Sequence, residues 1–188
     1  MIHIRKAAKV EGMGLRLRNA AVSDADFIFL LRTNDKLNRH IFAVSNDVQQ
    51  QIDFLKSYEK KNNEAFFIIE DLNGDALGTV RIYDQVGASF CWGSWIVLPN
   101  APLRTATKSA LLIYIYAFDY LGFSSSHFDV RQENRRVWRF HESWGAKLTS
   151  EDKLDRNYTL LRAAWHEIRK RYSTMIHKDG AVTVEYLS

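Results

Sequence analysis

The first half of the chain carries two hydrophobic periods, one typical of strands and one typical of helices. Leucine and arginine alternate over residues 14–20, which predicts a half-buried strand. Apolar residues recur at helical spacing over residues 24–33 and 47–60, and the unpatterned residues between them are predicted to form a loop. Three short apolar runs follow and predict strands at 65–70, 77–83 and 88–98. The pair Asn73-Gly74 predicts a tight turn between the first two runs.

The pattern of the second half begins with two proline residues. Pro99 and Pro102, the only prolines in the chain, end the third apolar run. A long amphipathic helix is then predicted through Leu121, and Gly122 is expected to end it. The remaining pattern predicts a strand, a helix, two strands and a helix, at 126–131, 134–144, 146–148, 157–163 and 165–172.

This order of elements predicts an α/β fold with a mixed sheet. The tight turn favours antiparallel neighbours in the first half, and the later β-α-β units favour parallel pairing with a right-handed crossover. We expect one domain at residues 14–172, preceded by a loosely held arm at 1–13. Residues 173–188 form a tail that either adds a strand or stays loose.

Composition narrows the class of protein. Of the 188 residues, 46% are hydrophobic and 13% aromatic, which is enough for a sizeable core. Cys91 is the single cysteine, so an intramolecular disulfide and a multi-cysteine metal site are excluded, and we expect no metal. No apolar run is long enough for a membrane span, and the first residues have no apolar signal core. These features predict a cytoplasmic protein.

The formal net charge of +4 leaves three interpretations open. Basic residues are densest in Arg131–Arg139 and Arg162–Arg171, where they are typical of solvated helix faces. They also suit attraction of an anionic ligand such as a nucleotide. Nucleic-acid binding is not favoured, because no helix-turn-helix, zinc-finger or RNP signature is present. The strand–turn–helix around Leu103–Thr107 presents backbone N–H groups, and a helix start of this kind suits a phosphate.

Residues 14–164 resemble the GNAT superfamily of acetyl-CoA-dependent N-acyltransferases. The element order matches, and the segment from Asn134 through Phe140-His141-Glu142-Ser143-Trp144-Gly145-Ala146 is similar to the family pattern N-x-x-A-x-x-x-Y-x-x-x-G-F. The family's pyrophosphate loop, Q/R-x-x-G-x-G/A, falls on Ala101–Ala106. Only Ala106 fits that pattern, because Ala101 replaces the Gln or Arg and Arg104 replaces the first Gly.

A finer resemblance lies in three shorter patterns. W-x-x-x-P-N-A-P, Y-A-F-x-x-L and F-H-E-x-x-G-A, which begin at Trp95, Tyr116 and Phe140, are similar to nucleotide-sugar N-acetyltransferases that act on amino sugars. Enzymes that modify ribosomal proteins are a neighbouring resemblance. The resemblance implies a GNAT fold, with a mostly antiparallel twisted sheet of about seven strands and about four to five helices. It leaves a homodimer open.

The resemblance implies direct transfer of acetyl from acetyl-CoA to a primary amine. The residues that it assigns to acetyl-CoA are Trp95, Ile96, Val97, Leu103, Arg104, Thr105, Ala106, Thr107 and Asn134. Asn134 can instead be an ordinary helix N-cap. His141 stands near the position of the family's thiolate-protonating Tyr and is a candidate general acid, with a structural histidine as the alternative. Direct attack needs no nucleophile, so Cys91 is expected to be a core residue.

The acceptor side is less determined by the sequence. Asn38, Arg39, His40, Arg81 and Tyr83 are predicted to bind the acceptor, for which a nucleotide-linked amino sugar is favoured. Residues 90–98 carry no acid, so the general base is a water chain, an acid of another strand such as Glu70 or Asp84, or absent. Two alternatives remain: acetylation of a protein N-terminus or ribosomal protein, and a non-catalytic domain that binds CoA.

Overall fold

A nine-stranded sheet runs through the computed structural model, which describes residues 2–34 and 47–187. Its strands are β1 (Ala7–Gly12), β2 (Leu15–Asn19), β3 (Ala65–Asp71), β4 (Ala76–Val86), β5 (Ser89–Val97), β6 (Ser125–Arg131), β7 (Lys147–Glu151), β8 (Asp155–Leu161) and β9 (Thr183–Tyr186). The spatial order is β7-β8-β6-β5-β4-β3-β2-β1-β9. All neighbours pair antiparallel except β5 and β6, which are parallel.

Helices cover both faces of this sheet. They are α1 (Ala25–Thr33), α2 (Val48–Glu59), α3 (Thr105–Tyr114), α4 (Arg135–Ser143), α5 (Arg162–Arg171) and α6 (Ser173–His177). A 3₁₀ turn at Val22–Asp24 precedes α1, and a π-helical segment at Ile115–Tyr120 continues α3. The predicted mixed α/β class is confirmed, and the described residues form nine strands instead of about seven and six α-helices instead of four to five. In the two described ranges, no helix combines the length and apolarity that crossing a membrane requires.

The first thirteen residues are not the loose arm that the pattern indicated. β1 lies inside the sheet between β2 and β9, and Ile4, Val10 and Met13 are buried. A register shift between Ala7 and Lys9 places the buried residues Ala7 and Val10 three positions apart. This irregularity breaks the two-residue period by which strands are recognised in a sequence.

The C-terminal segment is also part of the domain. β9 pairs with β1, and the hydroxyl of Tyr120 donates to the carbonyl of Val182 at 2.6 Å. In α5, Trp165 is fully buried and its Nε1 donates to Asp119 Oδ1 at 2.9 Å. Of the two alternatives for residues 173–188, the structure therefore agrees with the one in which they add a strand to the sheet.

Two apolar cores lie on opposite faces of the sheet. The smaller core packs α1 and α2 against β3, through residues such as Tyr58, Phe66 and Ile68. The larger core, under α3, α4 and α5, is filled by aromatic rings, including Phe90, Phe118 and Trp165. Aromatic rings therefore pack against the sheet on both of its faces.

The parallel strands β5 and β6 separate after three residue pairs. Only Ser89–Cys91 pairs with Ser125–His127, and β5 then continues to Val97 with no partner on that side among residues 2–34 and 47–187. Its other edge stays paired with β4 as far as Val97. The separation leaves a free strand edge in the middle of the sheet, which is where the candidate site lies.

Candidate active site

A cavity of about 340 Å³ occupies the split between β5 and β6, and we call it the sheet cavity. Its lining residues come from α1, β4, β5, β6 and α4: Arg32, Arg81, Tyr83, Cys91, Trp92, Gly93, Ser94, Trp95, Phe128, Asp129, Val130, Arg131, Asn134, Val137 and His141. Neighbouring residues of a strand point to opposite faces of a sheet. Two pairs of strand neighbours line the cavity, Cys91 with Trp92 and Phe128 with Asp129. The cavity therefore has lining residues on both faces of the sheet.

A β-bulge shapes the β5 wall. Thr79 pairs with Ile96 and Arg81 with Gly93, so Val80 stands opposite two residues, Ser94 and Trp95. Ser94 has a positive φ of 47°, and its carbonyl accepts a hydrogen bond from Thr79 Oγ1 at 2.8 Å. Bulges re-aim a strand locally and are frequent beside active sites.

Two glycines, Gly93 and Gly78, lie where this wall closely approaches neighbouring atoms. A Cβ on Gly93 would lie 2.9 Å from the Tyr83 hydroxyl oxygen, so a larger residue here would displace that side chain. A Cβ on Gly78 would lie 2.1 Å from the carbonyl oxygen of Ile96. The close approach of the β4 and β5 backbones thus depends on Gly78, and the position of the Tyr83 ring depends on Gly93.

Trp95 is held in place by its side chain as well as by its strand. Its Nε1 donates to Ser109 Oγ in α3 at 3.1 Å, and its ring lies 5.4 Å from that of Phe140. Ile96 and Val97 lie farther along the free edge of β5 and do not line the cavity. Of the three strand residues predicted to bind acetyl-CoA, only Trp95 borders the sheet cavity.

His141 borders the cavity from the α4 side, and it is only 4% exposed. Aromatic rings surround its imidazole, with centroid distances of 4.3 Å to Phe128 and 5.3 Å to both Trp92 and Phe140. Nδ1 is fully buried and has no hydrogen-bond partner in the described ranges. Burial lowers the pKa of His141 to about 3, so the ring is neutral at pH 7 and carries one N–H.

Asn134 lies at the start of α4 and also borders the cavity. Its side chain makes no capping hydrogen bond to the helix. The amide of this half-buried residue is therefore not occupied as an N-cap, and it is available to a ligand in the cavity.

The opposite face of the cavity carries predicted acceptor-side residues. Arg81 forms an ion pair with buried Glu64, and its guanidinium lies 5.2 Å from the centroid of the Phe54 ring. Burial raises the pKa of Tyr83 above its usual value. Burial also raises the pKa of Cys91 to about 11, so its thiol is protonated at neutral pH and is not a ready nucleophile.

Three charged residues of this face were not anticipated from the sequence. Arg32 of α1 and Arg131 of β6 line the cavity together with Asp129. Burial lowers the pKa of Arg32, and the nearby charge of Arg81 lowers it further. Arg131 Nη1 bonds Asp155 Oδ2 at 2.9 Å. For Asp129 and Arg131, the sequence signal was the alternation of β6. Phe128 and Val130 are buried on one face of the sheet, so Asp129 and Arg131 lie on the other face.

Other residues considered from the sequence do not line the sheet cavity. Glu70 Oε1 is paired with Arg18 Nε at 2.6 Å on β3, and Asp84 lies 3.7 Å from His127 at the far end of β4. Neither acid lines the cavity. Asn38, Arg39 and His40 lie outside the described residues.

A second cavity, of about 770 Å³, lies at the start of α3, and we call it the α3 groove. Leu103, Arg104 and Thr107 line it, with further cationic side chains from Lys108, Arg171 and Lys178. Arg104 has a φ of 71°, in the left-handed region, at the position where the family pattern has glycine. The groove therefore combines a left-handed turn at Arg104 with several cationic side chains.

Thr105 is committed to the turn itself. Its Oγ1 donates to the Pro102 carbonyl at 2.7 Å, its backbone N–H donates to the same oxygen, and the residue is buried. The side chain predicted to contact acetyl-CoA is thus occupied. The N–H groups of Ala106 and Thr107 have no hydrogen-bond partner in the part of the chain that the structure describes. They remain available to an anion.

The geometry agrees with the comparisons with known proteins. A family model described as "Acetyltransferase (GNAT) domain" matches residues 14–147, more than half of the chain. The chain belongs to the GNAT acetyltransferase family. It is an N-acetyltransferase, and enzymes of this family use acetyl-CoA.

Solved structures of other GNAT proteins share this fold. A protein described as apo FdhC, a nucleotide-linked sugar GNAT, is 36% identical over 89% of this chain and 97% of its own, with a TM-score of 0.80. A putative acetyltransferase from T. thermophilus is 18% identical over 90% of this chain and 97% of its own, with a TM-score of 0.72.

A spermidine N-acetyltransferase shows the same fold at lower identity. A chimera of SpeG from Vibrio cholerae and hSSAT is 16% identical over 81% of this chain and 98% of its own, with a TM-score of 0.69. No curated protein matches the chain. Within residues 2–34 and 47–187, no three His, Cys, Asp or Glu residues are grouped so as to hold a metal ion.

Proposed function

We propose that this GNAT enzyme transfers acetyl from acetyl-CoA to the primary amine of a nucleotide-linked amino sugar. The observation that carries this proposal is the 36% identity to a nucleotide-linked sugar GNAT, which extends over 89% of this chain. The other structures described above are less than 20% identical and support the fold alone.

Acetyl-CoA fits the α3 side of the site. Its pyrophosphate would accept hydrogen bonds from the free N–H groups of Ala106 and Thr107, with Arg104 beside it. Its pantetheine arm would run along the free edge of β5, past Trp95, with the Asn134 amide at the opposite wall. The thioester would then reach the bulge at Ser94, where the backbone is irregular and an N–H group can meet the developing oxyanion.

The acceptor would enter from the other face of the sheet. The guanidinium groups of Arg32, Arg81 and Arg131 border that side of the sheet cavity. Guanidinium groups bind phosphate oxygens through paired charge-assisted hydrogen bonds. A nucleoside diphosphate on the acceptor is complementary to these guanidinium groups, and Asp129 in the same lining is complementary to its amine. The lining therefore suits an acceptor that carries both a phosphate and an ammonium group.

His141 has a role at the leaving sulfur in this proposal. A neutral imidazole is a weak acid, so we assign it a hydrogen bond to the departing thiolate in place of a full proton transfer. Because Nδ1 is buried among rings without an acceptor, we place the imidazole proton on Nε2 in this proposal. This arrangement stabilises the negative charge that develops on sulfur.

A thiol-release assay tests the acceptor class. Acetyl-CoA is mixed with the enzyme and, separately, a nucleoside-diphosphate-linked amino sugar, the same amino sugar without its nucleotide, an N-terminal peptide, or spermidine. We expect the highest kcat/KM for the nucleotide-linked sugar and a clear loss when the nucleotide is removed. Preference for the peptide would favour a protein acetyltransferase, and preference for spermidine would contradict the proposal.

A further inference from the structure

Amine acetylation requires a group that takes a proton from the acceptor. An amine bound as its ammonium form has no lone pair with which to attack the thioester. Residues 90–98, which form the β5 wall, contain no Asp or Glu. Glu70 and Asp84, the acids considered from the sequence, are paired with Arg18 and His127 and lie outside the sheet cavity.

Asp129 is the carboxylate that lines the sheet cavity among the described residues. It lies on β6 two positions after His127, the last residue that pairs with β5. Phe128 and Val130, on either side of it, are buried in the larger core, so the side chain of Asp129 is directed to the acceptor face.

The Asp129 carboxylate is free of partners in the ranges 2–34 and 47–187. It takes part in no ion pair and no side-chain hydrogen bond there, whereas Arg131, on the same face of β6, is tied to Asp155 at 2.9 Å. Its negative charge contributes to the raised pKa of both Tyr83 and Cys91. The carboxylate thus acts electrostatically on the acceptor side of the cavity, while remaining exposed to solvent.

We propose that Asp129 is the catalytic base that takes the proton from the acceptor's ammonium group. This inference rests on the proposed acetyl transfer to a primary amine and holds whichever primary amine is the acceptor. A carboxylate at this place also attracts the ammonium group to the split, where the thioester arrives from the other face. The three arginines would hold the rest of an anionic acceptor around it.

The proton and electron balance of the step is simple. Asp129 takes one proton from the ammonium group and passes it to bulk water through its exposed side. The nitrogen lone pair forms a bond to the thioester carbonyl carbon, and the carbon–sulfur bond breaks with its electron pair on sulfur. The second nitrogen proton goes to the thiolate. The products are the acetamide, CoA as its thiol and one proton released to water.

The central test replaces Asp129 by Asn, which keeps the shape of the side chain and removes its basicity. At neutral pH we expect Asp129→Asn to lower kcat about 100-fold, with the KM for acetyl-CoA unchanged. Asp129→Glu should retain more activity than Asp129→Asn, because it keeps a carboxylate. Asp84→Asn is the matched control, since Asp84 is an exposed acid near His127 that lies outside the cavity, and it should behave as wild type.

A pH series separates proton removal from a structural effect. The groups that surround Asp129 on this face are Arg32, Arg81, Tyr83, Cys91, His127 and Arg131. The pKa of Cys91 is raised to about 11 and that of Tyr83 is also raised, so neither group ionises in the range tested. Between about pH 7 and 9 more acceptor amine is neutral in solution, so the defect of Asp129→Asn should shrink. The Asp84→Asn control reports any contribution from His127.

The outcomes distinguish this inference from the proposed function. Wild-type activity in Asp129→Asn, a loss confined to the KM of the acceptor, or a kcat defect that is the same at every pH would overturn the role of Asp129. If wild-type enzyme does not acetylate the nucleotide-linked sugar but acetylates another amine, the proposed acceptor fails and the same variants are measured with that amine. Unchanged thermal stabilisation by acetyl-CoA in Asp129→Asn confirms that the variant is folded and binds the cosubstrate.

Discussion

The sheet cavity and the α3 groove are both rich in cations, but they hold them differently. In the sheet cavity, Arg81 is paired with Glu64 and Arg131 with Asp155. In the α3 groove, Arg104, Lys108 and Lys178 form no ion pair with any residue in the described ranges. Cations with carboxylate partners are held in one geometry, whereas unpaired cations on long side chains adapt to an anion.

This difference matches what each region has to do in an acetyltransferase. The amine and the thioester must meet within a narrow range of geometry, so the acceptor side needs rigid positioning. The phosphates of CoA lie far from the reacting atoms and need only to be held. We therefore expect substitutions in the sheet cavity to change stability and turnover, and substitutions in the α3 groove to change mainly the KM for acetyl-CoA.

The largest effect on stability is expected for Arg81→Met. This change leaves the carboxylate of Glu64, which is 3% exposed, without its guanidinium partner, although Lys61 remains 3.1 Å from Oε1. Breaking a buried ion pair from one side should lower the free energy of unfolding by about 3 kcal/mol, measured by urea denaturation. The double variant Glu64→Gln with Arg81→Met should recover much of this loss, and equal instability of the single and double variants would contradict the pairing argument.

The second effect concerns turnover at His141. His141→Phe keeps an aromatic ring and removes the N–H group that faces the thiolate in the proposed mechanism. We expect kcat to fall about 100-fold, as for loss of one donor to a developing anion, with little change in acetyl-CoA affinity. An unchanged kcat would remove His141 from the reaction.

The pH dependence of stability provides a control for His141→Phe, because it reports whether His141 is buried in its neutral form. Because the folded-state pKa of about 3 lies below the ordinary value of 6.5, the unfolded chain binds a proton at this residue that the folded chain does not. The stabilising contribution of neutral His141 is fully present above pH 6.5 and is lost as the pH falls toward 3. From pH 7 to pH 5, wild type should lose about 2 kcal/mol more than His141→Phe in urea denaturation.

The third effect tests the unusual turn at the start of α3. Arg104→Gly removes a left-handed non-glycine residue, so it should raise the free energy of unfolding by about 1 kcal/mol. It also removes a charge-assisted contact to a phosphate, so the KM for acetyl-CoA should rise about tenfold. Asparagine also adopts the left-handed conformation but carries no charge, so Arg104→Asn should show the same rise in the KM for acetyl-CoA. Unchanged KM in both variants would show that Arg104 does not contact the cosubstrate.

The smallest effect is expected for Lys178, which lies beyond the part of the chain that the family model matches. An exposed lysine beside a phosphate contributes little, so Lys178→Ala should raise the KM for acetyl-CoA about twofold at low salt. The difference should vanish at high salt because the interaction is screened. A kcat effect with no change in KM would place Lys178 outside the CoA site.

Local pattern predicted most of the central fold. The helices that begin near Ala25, Val48 and Arg135 were recognised because their apolar residues repeat within a few positions. β1 was missed because a bulge breaks its alternation. Of the residues predicted from the sequence to lie at the site, Arg81, Tyr83, Trp95, Asn134 and His141 border the sheet cavity. Their proposed roles remain predictions.

What the sequence determined by itself is therefore the succession of strands and helices, the stop at Pro99 and Pro102, and the motif around Asn134. These features depend on residues that are neighbours in the chain. Only the tertiary structure decided that β5 and β6 part after Cys91, and that Arg32, Asp129 and Arg131 meet at the opening. Arg32 and Asp129 are distant in sequence, and no local period records which strand edge is left unpaired. The proposed base, Asp129, could be identified only from its position beside that unpaired edge.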